Sequence, residues 1–225
     1  MSIGKIYEKG RVAFMGLELH VAPGALVPRE ETELLGRTAL EVIGGFQVRV
    51  PRVIDMCCGS GNLACGIAHS IPRAEIWASD LTDSCVEVTR RNVRHLALSS
   101  RVRVCQGDLF AGLHGLGLEG TIDAIVCNPP YISEQRLAND RAHLLEHEPR
   151  AAFDGGPYGL NLHQRVLEEA PEFLRPGGAL LLEIGLGQDR QVRTLFERAS
   201  AYEDIRLVSD AEGDARVALG RKKAL

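Results

Sequence analysis

Asn128-Pro129-Pro130-Tyr131 carries the most specific chemistry in this 225-residue sequence. A planar NH2 nitrogen is a poor nucleophile, because its lone pair is delocalised. Suppose that the Asn128 side-chain oxygen and the Pro129 carbonyl accept its two hydrogens. The nitrogen is then held in place and drawn toward tetrahedral geometry, with its lone pair aimed at a methyl group on a sulfonium. This is catalysis by orientation and electrostatics, and it needs no strong base. The two prolines stiffen the segment and lower the entropy of ordering it. Tyr131 can pack on a planar group or beside a cation. The plain alternative is a Pro-Pro turn, against which the preceding strand and the surrounding acids weigh.

Those acids form a second pattern. Gly59-Ser60-Gly61-Asn62-Leu63-Ala64 fits the loose G-x-G-x-x-[GA] fingerprint, and Asp80 lies 19 residues beyond Gly61, where a ribose-binding acid is expected. Glycines let the backbone approach a nucleoside, and an acid at a strand end accepts from two ribose hydroxyls. NAD and S-adenosylmethionine both offer that ribose. Asp55, just before the glycine loop, favours the second. A carboxylate there is poor company for a pyrophosphate but suits the ammonium of a methionine moiety, directly or through water. Asp108 can accept from an adenine amino group. Each aspartate alone reads as well as a cap or turn residue; three at successive strand ends read as a site.

The elements that must position these residues alternate. Arg52–Asp55, Ala74–Asp80, Val102–Cys105, Ile122–Cys127 and Ala179–Ile184 read as strands. Helices are expected around Asn62–Ser70, Asp83–Leu98 (capped by Thr82 or Asp83), Asn161–Leu174 and Gln188–Ser200. Arg175-Pro176-Gly177-Gly178 is a stop-and-turn signal. Asp204–Ser209 and Ala215–Gly220 are joined by too short a link to be parallel neighbours, so they form an antiparallel pair. The fold class is a doubly wound α/β sheet with an antiparallel edge hairpin, whose ligands gather at the carboxyl ends of the strands. Upstream, Arg11–Val21 reads as a hairpin, residues 22–30 as a loop and Glu31–Val42 as a helix. Residues 1–50 are thus expected to be an extension packed on a catalytic domain of residues 51–225.

Composition excludes several classes. With 45% apolar and 25% charged residues and a net charge of −4, the chain is neither disordered nor strongly basic. Arg90, Arg91, Arg94, Arg101 and Arg103 read as a solvated face rather than a nucleic-acid track. No apolar run approaches a membrane span, and charges early in the chain argue against a signal peptide, so a cytoplasmic location is expected. The six cysteines, without C-x-x-C spacing, read mostly as buried reduced thiols. His143 and His147, four apart, read as a solvated helix face, and no metal requirement is expected.

From about Gly16 to Arg221 the sequence resembles the class I S-adenosylmethionine-dependent methyltransferases, specifically the release-factor glutamine N5-methyltransferases. The stretches PGALVPREETELL (Pro23–Leu35), Asp55–Gly61, NPPYI (Asn128–Ile132), EPRAAFDGGPYGL (Glu148–Leu160) and RPGGALLLEIG (Arg175–Gly185) carry it. NPPY is shared with adenine and other amino-group methyltransferases; the first and fourth stretches are closer to the glutamine enzymes. The resemblance implies a seven-stranded, mostly parallel sheet. It implies S-adenosyl-L-methionine contacts from Asp55, Cys57, Cys58, Gly59, Ser60, Gly61, Asp80, Leu81, Asp108, Leu109 and Asn128. It implies a glutamine amide held by Asn128, Pro129, Pro130 and Tyr131, with Asn128, Pro129 and Tyr131 as the catalytic group and Arg29, Glu31 and Thr32 near the same pocket.

Three departures stand out. Cys57 and Cys58 replace the family's usual Gly and Thr, and Glu30 replaces a common Pro. Only fifteen residues precede Gly16, where the family carries a helical domain that helps grip the release factor. The expected acceptor is a protein glutamine, with a release factor as one candidate, or alternatively a small-molecule amide or amine. A nucleic-acid amino group, which would require base flipping, an NAD-dependent oxidoreductase and a non-catalytic binding module are more remote readings. No membrane partner is expected, and the oligomeric state is open.

Overall fold

The computed structural model describes residues 3–139 and 141–224, without the side chain of His143. It opens with a short helix α1 (Ile3–Lys9) and the hairpin β1 (Arg11–Phe14) and β2 (Leu17–His20), turning through Met15-Gly16, both in left-handed conformation. A loop leads to α2 (Thr32–Gly44). Strands and helices then alternate: β3 (Arg52–Met56), α3 (Asn62–Ser70), β4 (Glu75–Asp80), α4 (Asp83–His95), β5 (Val102–Gln106) and β6 (Ile122–Cys127). After a short helix α5 (Glu134–Asn139) come α6 (Asn161–Phe173), β7 (Leu174–Glu183), α7 (Asp189–Ala199), β8 (Tyr202–Ser209) and β9 (Ala215–Lys222).

Seven strands form one sheet in the order β5-β4-β3-β6-β7-β9-β8. The first five are parallel, and β9 runs antiparallel to both β7 and β8, so the expected doubly wound sheet with an antiparallel edge is present. The chain progresses outward in opposite directions from β3 and β6. Their connections therefore diverge and leave a crevice beyond the strand carboxyl ends. Parallel strands buried on both faces need near-continuous apolar runs, and all six residues of β6 are buried.

Each face carries its own apolar cluster. On one side, Leu35, Ala39 and Ile43 of α2 and Leu63, Cys65 and Ile67 of α3 pack with Phe14, Leu17 and Leu19 of the hairpin against Val53, Ile76, Val126 and Leu181. On the other, Val166, Leu167 and Phe173 of α6 and Val192 and Phe196 of α7 pack against Ile54, Ile125, Leu180 and Leu182. The hairpin and α2 thus share one core with the sheet.

Three expectations change. Arg175-Pro176-Gly177-Gly178 does not separate helix from strand. Leu174 already pairs with Ile122, the four residues bulge outward with Gly177 at φ 72°, and pairing resumes at Ala179 opposite Ala124. A Cβ on Gly178 would lie 2.9 Å from the Ile122 carbonyl oxygen, so glycine is required for the close approach. Arg101 is half-buried rather than part of the solvated face. Its guanidinium donates to the carbonyls of Ala68, Ile71 and Ala74 at 2.9–3.4 Å, satisfying orphan acceptors at and beyond the end of α3. Arg90, Arg91, Arg94 and Arg103 are exposed as expected. The segment around His143 is a short 3-10 turn, Ala142–Glu146, rather than an α-helix; the His143 side chain lies outside the described ones.

Candidate active site

The glycine loop is shaped by the helix that follows β4. Gly61 caps α3 at φ 75°, where a Cβ would press on Thr89 at 2.7 Å. Thr89 donates to the Gly59 carbonyl at 3.0 Å, and the fully buried Asn92 donates to the Ser60 carbonyl at 2.8 Å. Asn92 also exchanges hydrogen bonds with the His20 backbone, at 2.7 and 2.9 Å. One amide thereby ties the hairpin to the loop. Cys57 takes a left-handed conformation, φ 58°, at a position where the resemblance expects glycine. Such strain in a non-glycine residue is tolerated when its surroundings over-determine it.

This loop forms one wall of a cavity of about 240 Å³ at the strand ends. Cys57, Cys58, Gly59, Ser60, Asp80, Leu81, Asp108, Leu109, Asn128 and Pro130 line it, with Arg29 and Thr32. Asp80 is half-buried. Its Oδ2 accepts from Gly59 N–H at 2.9 Å and its Oδ1 from Thr82 N–H at 3.2 Å, so it holds the loop while facing the cavity. Asp108 is exposed and its carboxylate pairs with Arg165 at 2.9 Å. Leu81 is 60% exposed at the rim, and Leu109 is buried with φ 47°.

Asp55 and Gly61 lie behind the wall rather than on it. Asp55 is 1% exposed and braces the first turn of α3 by accepting from Ala64 N–H at 2.8 Å. Its Oδ1 has no partner among the described residues. Burial, with the nearby Asp80 charge adding to it, pushes its carboxyl up to about 7.

A second, wider cavity of about 770 Å³ opens on the other side of Asn128. Pro129, Tyr131, Arg29, Glu31, Glu183 and Arg216 are among its walls. Asn128 and Arg29 border both cavities. The Asn128 Nδ2 donates to Thr32 Oγ1 at 3.2 Å, and no donor among the described residues takes its Oδ1. The Asn128–Tyr131 segment is clamped from outside. Ile132 N–H donates to the Phe153 carbonyl at 2.8 Å, and Gly155 N–H donates to the Ile132 carbonyl at 2.9 Å. Gln188 Nε2 donates to the Tyr131 carbonyl at 2.9 Å. A Cβ on Gly155 would meet the Pro130 carbonyl oxygen at 2.8 Å, which explains why glycine follows Asp154.

Two groups emerged that residue pattern alone did not single out. Glu148 is buried. Its Oε1 accepts from Val27 N–H at 2.9 Å and its Oε2 pairs with Arg29, joining the two family-like stretches. Thr89 and Asn92 lie among the buried residues of α4, beside Val86 and Val93. Polar residues on the apolar face of an amphipathic helix were the signal that could have found them. Fully buried His163 meets the Glu183 carbonyl through Nε2 at 2.9 Å. Burial holds its pKa down at about 4, so it is neutral and structural.

The methyltransferase small domain family matches residues 43–157. A release factor glutamine methyltransferase of Moorella thermoacetica is 38% identical over 217 residues, spanning 96% of this chain and 74% of that protein. One from Gloeobacter violaceus is 35% identical over 211 residues, spanning 94% and 72%. Among solved structures, the release factor-specific protein-(glutamine-N5) methyltransferase of Alicyclobacillus acidocaldarius superposes with a TM-score of 0.52 at 25% identity, covering 92% of this chain and 100% of that one.

Proposed function

The chain belongs to the release factor glutamine methyltransferase family, and on that basis we propose that it transfers a methyl group to the side-chain amide nitrogen of a protein glutamine, a release factor being the leading acceptor. One observation carries the reading. Asn128 stands at the junction of the two cavities with its NH2 end held by Thr32 and its Oδ1 left for an acceptor NH2.

S-adenosylmethionine, when bound, supplies a methyl group on a cationic sulfonium. The narrower cavity suits it. The glycine loop offers backbone without side chains, Asp80 offers carboxylate lone pairs to a ribose, and the partnerless Asp55 oxygen sits behind the loop where a water can relay it to an ammonium. Asp108 borders the same cavity with its carboxylate paired to Arg165, and Leu81 offers apolar contact at the rim. The Asn128 oxygen and the Pro129 carbonyl orient the acceptor nitrogen and favour its pyramidal geometry. The wider cavity exceeds the needs of one side-chain amide, which favours a glutamine presented on a chain over a free small amide. Residues 1–50 read as an extension of the catalytic domain, because the hairpin and α2 share its core. No helix among the described residues is long and apolar enough to cross a membrane.

Mass spectrometry after incubation with S-adenosylmethionine tests the acceptor. A glutamine-bearing protein gains one methyl group on that side chain, while free glutamine and small amides are at least tenfold poorer substrates by kcat/KM, about 1.4 kcal/mol of discrimination. Preferential methylation of a free small amide overturns the assignment. Asp80→Ala tests the cofactor side. It removes a charge-assisted contact worth roughly 1.5–3 kcal/mol and frees the Gly59 N–H, so calorimetry shows S-adenosylmethionine affinity falling by about tenfold or more. Unchanged affinity removes Asp80 from the site.

A further inference from the structure

Arg216, near the start of β9, lines the wider cavity together with Asn128, Pro129 and Glu183. Its side chain is 10% exposed. Its guanidinium makes no hydrogen bond among the described residues, and its Nε is shielded from solvent without a partner. The Glu31 carboxylate comes to 3.9 Å, too far for a hydrogen bond, and that side chain is 55% exposed. A buried guanidinium is costly unless its N–H groups are met. Glu183 presents the complementary case. It is 2% exposed. Tyr131 Oη donates to its Oε1 at 3.3 Å, while its Oε2 is buried with no partner. One wall of the cavity thus holds an unmet donor group and an unmet acceptor.

The sheet fixes where they stand. Cys127 pairs with Leu182 across β6 and β7, and Glu183 pairs with Val217 across β7 and β9. Asn128 and Glu183 are therefore level on adjacent strands. Arg216 follows on the next strand, its carbonyl accepting from Ile184 N–H at 2.9 Å. Two strand spacings, about 10 Å, separate the backbones at Asn128 and Arg216. A glutamine whose amide nitrogen meets Asn128 carries its main chain a side-chain length away, a span that the long Arg216 side chain closes from the other strand.

We infer that Arg216 and Glu183 form a subsite for the main chain of the acceptor; this rests on the glutamine reading given above. Arg216 donates to a peptide carbonyl beside the methylated glutamine, and Glu183 Oε2 accepts from a peptide N–H. A peptide unit offers one acceptor and one donor, both neutral. A carboxylate, such as free glutamine carries, would also satisfy Arg216. It would face Glu183, Glu31 and the acids Asp210, Glu212 and Asp214 of the turn leading into β9, all on the walls of the same cavity. Like charges so placed disfavour an anionic ligand, whereas a neutral carbonyl meets the guanidinium without that repulsion. The subsite therefore selects a glutamine inside a chain. Its contacts are to atoms that do not react, so they hold ground state and transition state alike, and their loss appears in KM rather than kcat.

Kinetics on three probes test the subsite: glutamine capped as N-acetyl and C-methylamide, N-acetylglutamine with its free α-carboxylate, and butanamide, which keeps the side-chain amide without the main chain. The wild type prefers the capped glutamine to butanamide by about tenfold or more in kcat/KM, the worth of a charge-assisted hydrogen bond, and prefers it to N-acetylglutamine. In Arg216→Met, KM for the capped glutamine rises by about tenfold, kcat stays within about threefold, and the preference over butanamide shrinks by the same factor. Arg216→Lys keeps the charge without the planar fork and falls between. Esters in place of both capping amides delete the N–H groups that Glu183 accepts and raise the wild-type KM by about fivefold. A KM within twofold of wild type in Arg216→Met overturns the inference, as does a loss confined to kcat or one of equal size on butanamide; an unchanged KM for the diester removes Glu183 from it. Should Arg216→Met fail to fold, the wild type decides alone. Preference for N-acetylglutamine, or none for the capped glutamine over butanamide, overturns the subsite. A capped glutamine left unmethylated while a glutamine-bearing protein is methylated also overturns the subsite alone; methylation of neither overturns the glutamine reading itself.

Discussion

Asn128→Ala lowers kcat by about a hundredfold, the loss typical of one positioned electrostatic group. The substitution deletes Oδ1 and also the hydrogen bond to Thr32, while the clamps on the neighbouring backbone at Tyr131 and Ile132 remain. The loop keeps its course, so the loss falls on the oriented acceptor and not on the fold. Cofactor affinity changes less, although Asn128 borders that cavity too. Asn128→Asp is the sharper comparison. It restores an acceptor oxygen, and its negative charge favours a nitrogen that is becoming cationic. It has no N–H for Thr32, so the hydrogen bond that Nδ2 now donates can be replaced only by one from the Thr32 hydroxyl to the introduced carboxylate. The aspartate variant therefore recovers activity only in part, between alanine and wild type. Equal and complete inactivity of both variants, with folding and cofactor binding intact, counts against orientation by Asn128.

The elements that the sequence made legible are those with strong local signals. β6 is a run of six buried residues stopped by two prolines, and its bounds are the expected Ile122–Cys127. α3 also begins and ends as expected, because the glycine loop must turn before it and Ile71-Pro72 must break it. Thr82 caps α4 by accepting from Cys85 N–H at 3.3 Å, one of the two caps expected. The short helices α1 and α5 were not legible. They span 7 and 6 residues, too short to be stable by propensity, and depend on what they pack against. The bulge in β7 was misread for a related reason. Pro and Gly mark a departure from regular structure but do not say whether the strand resumes on the same partner.

The site divides along similar lines. Residues that border the cavities, such as Asp80 and Asn128, stand at strand ends and could be found by asking what each strand ends with. Residues that hold those residues in place could be flagged but not assigned partners. The place of Asn92 on the apolar face of α4 says that it is partnered, but not that it reaches His20 and Ser60, across sequence separations of 72 and 32. Asp108 was found as a strand-end acid, but its carboxylate pairs with Arg165, 57 residues away. Position along the chain tells which rim a side chain occupies, whereas its partner is set by tertiary packing.

Glu148 shows how much such a holding residue is worth, and its removal has the largest expected effect on stability. Its side chain is 1% exposed, whereas Arg29 opposite is 23% exposed. Glu148→Ala strands the Arg29 guanidinium without its partner and leaves the Val27 N–H unpaired in a buried setting. Breaking a buried pair from one side costs about 3–5 kcal/mol, far more than losing an exposed pair such as Arg165–Asp108, for which about 0–1 kcal/mol is usual. Glu148→Gln keeps an oxygen for Val27 and removes only the charge, so it costs less, about 1–3 kcal/mol. Urea denaturation should rank wild type above glutamine above alanine, with little dependence on salt because the pair is shielded. The loss has a direction in the fold. Glu148 fastens the loop before α2 to the stretch that clamps Asn128–Tyr131, and Arg29 borders both cavities. Hydrogen exchange at Val27 therefore accelerates in Glu148→Ala even where the sheet amides stay protected. A cost below about 1 kcal/mol for both variants, with Val27 exchange unchanged, would mean that the two stretches are held by their backbones alone.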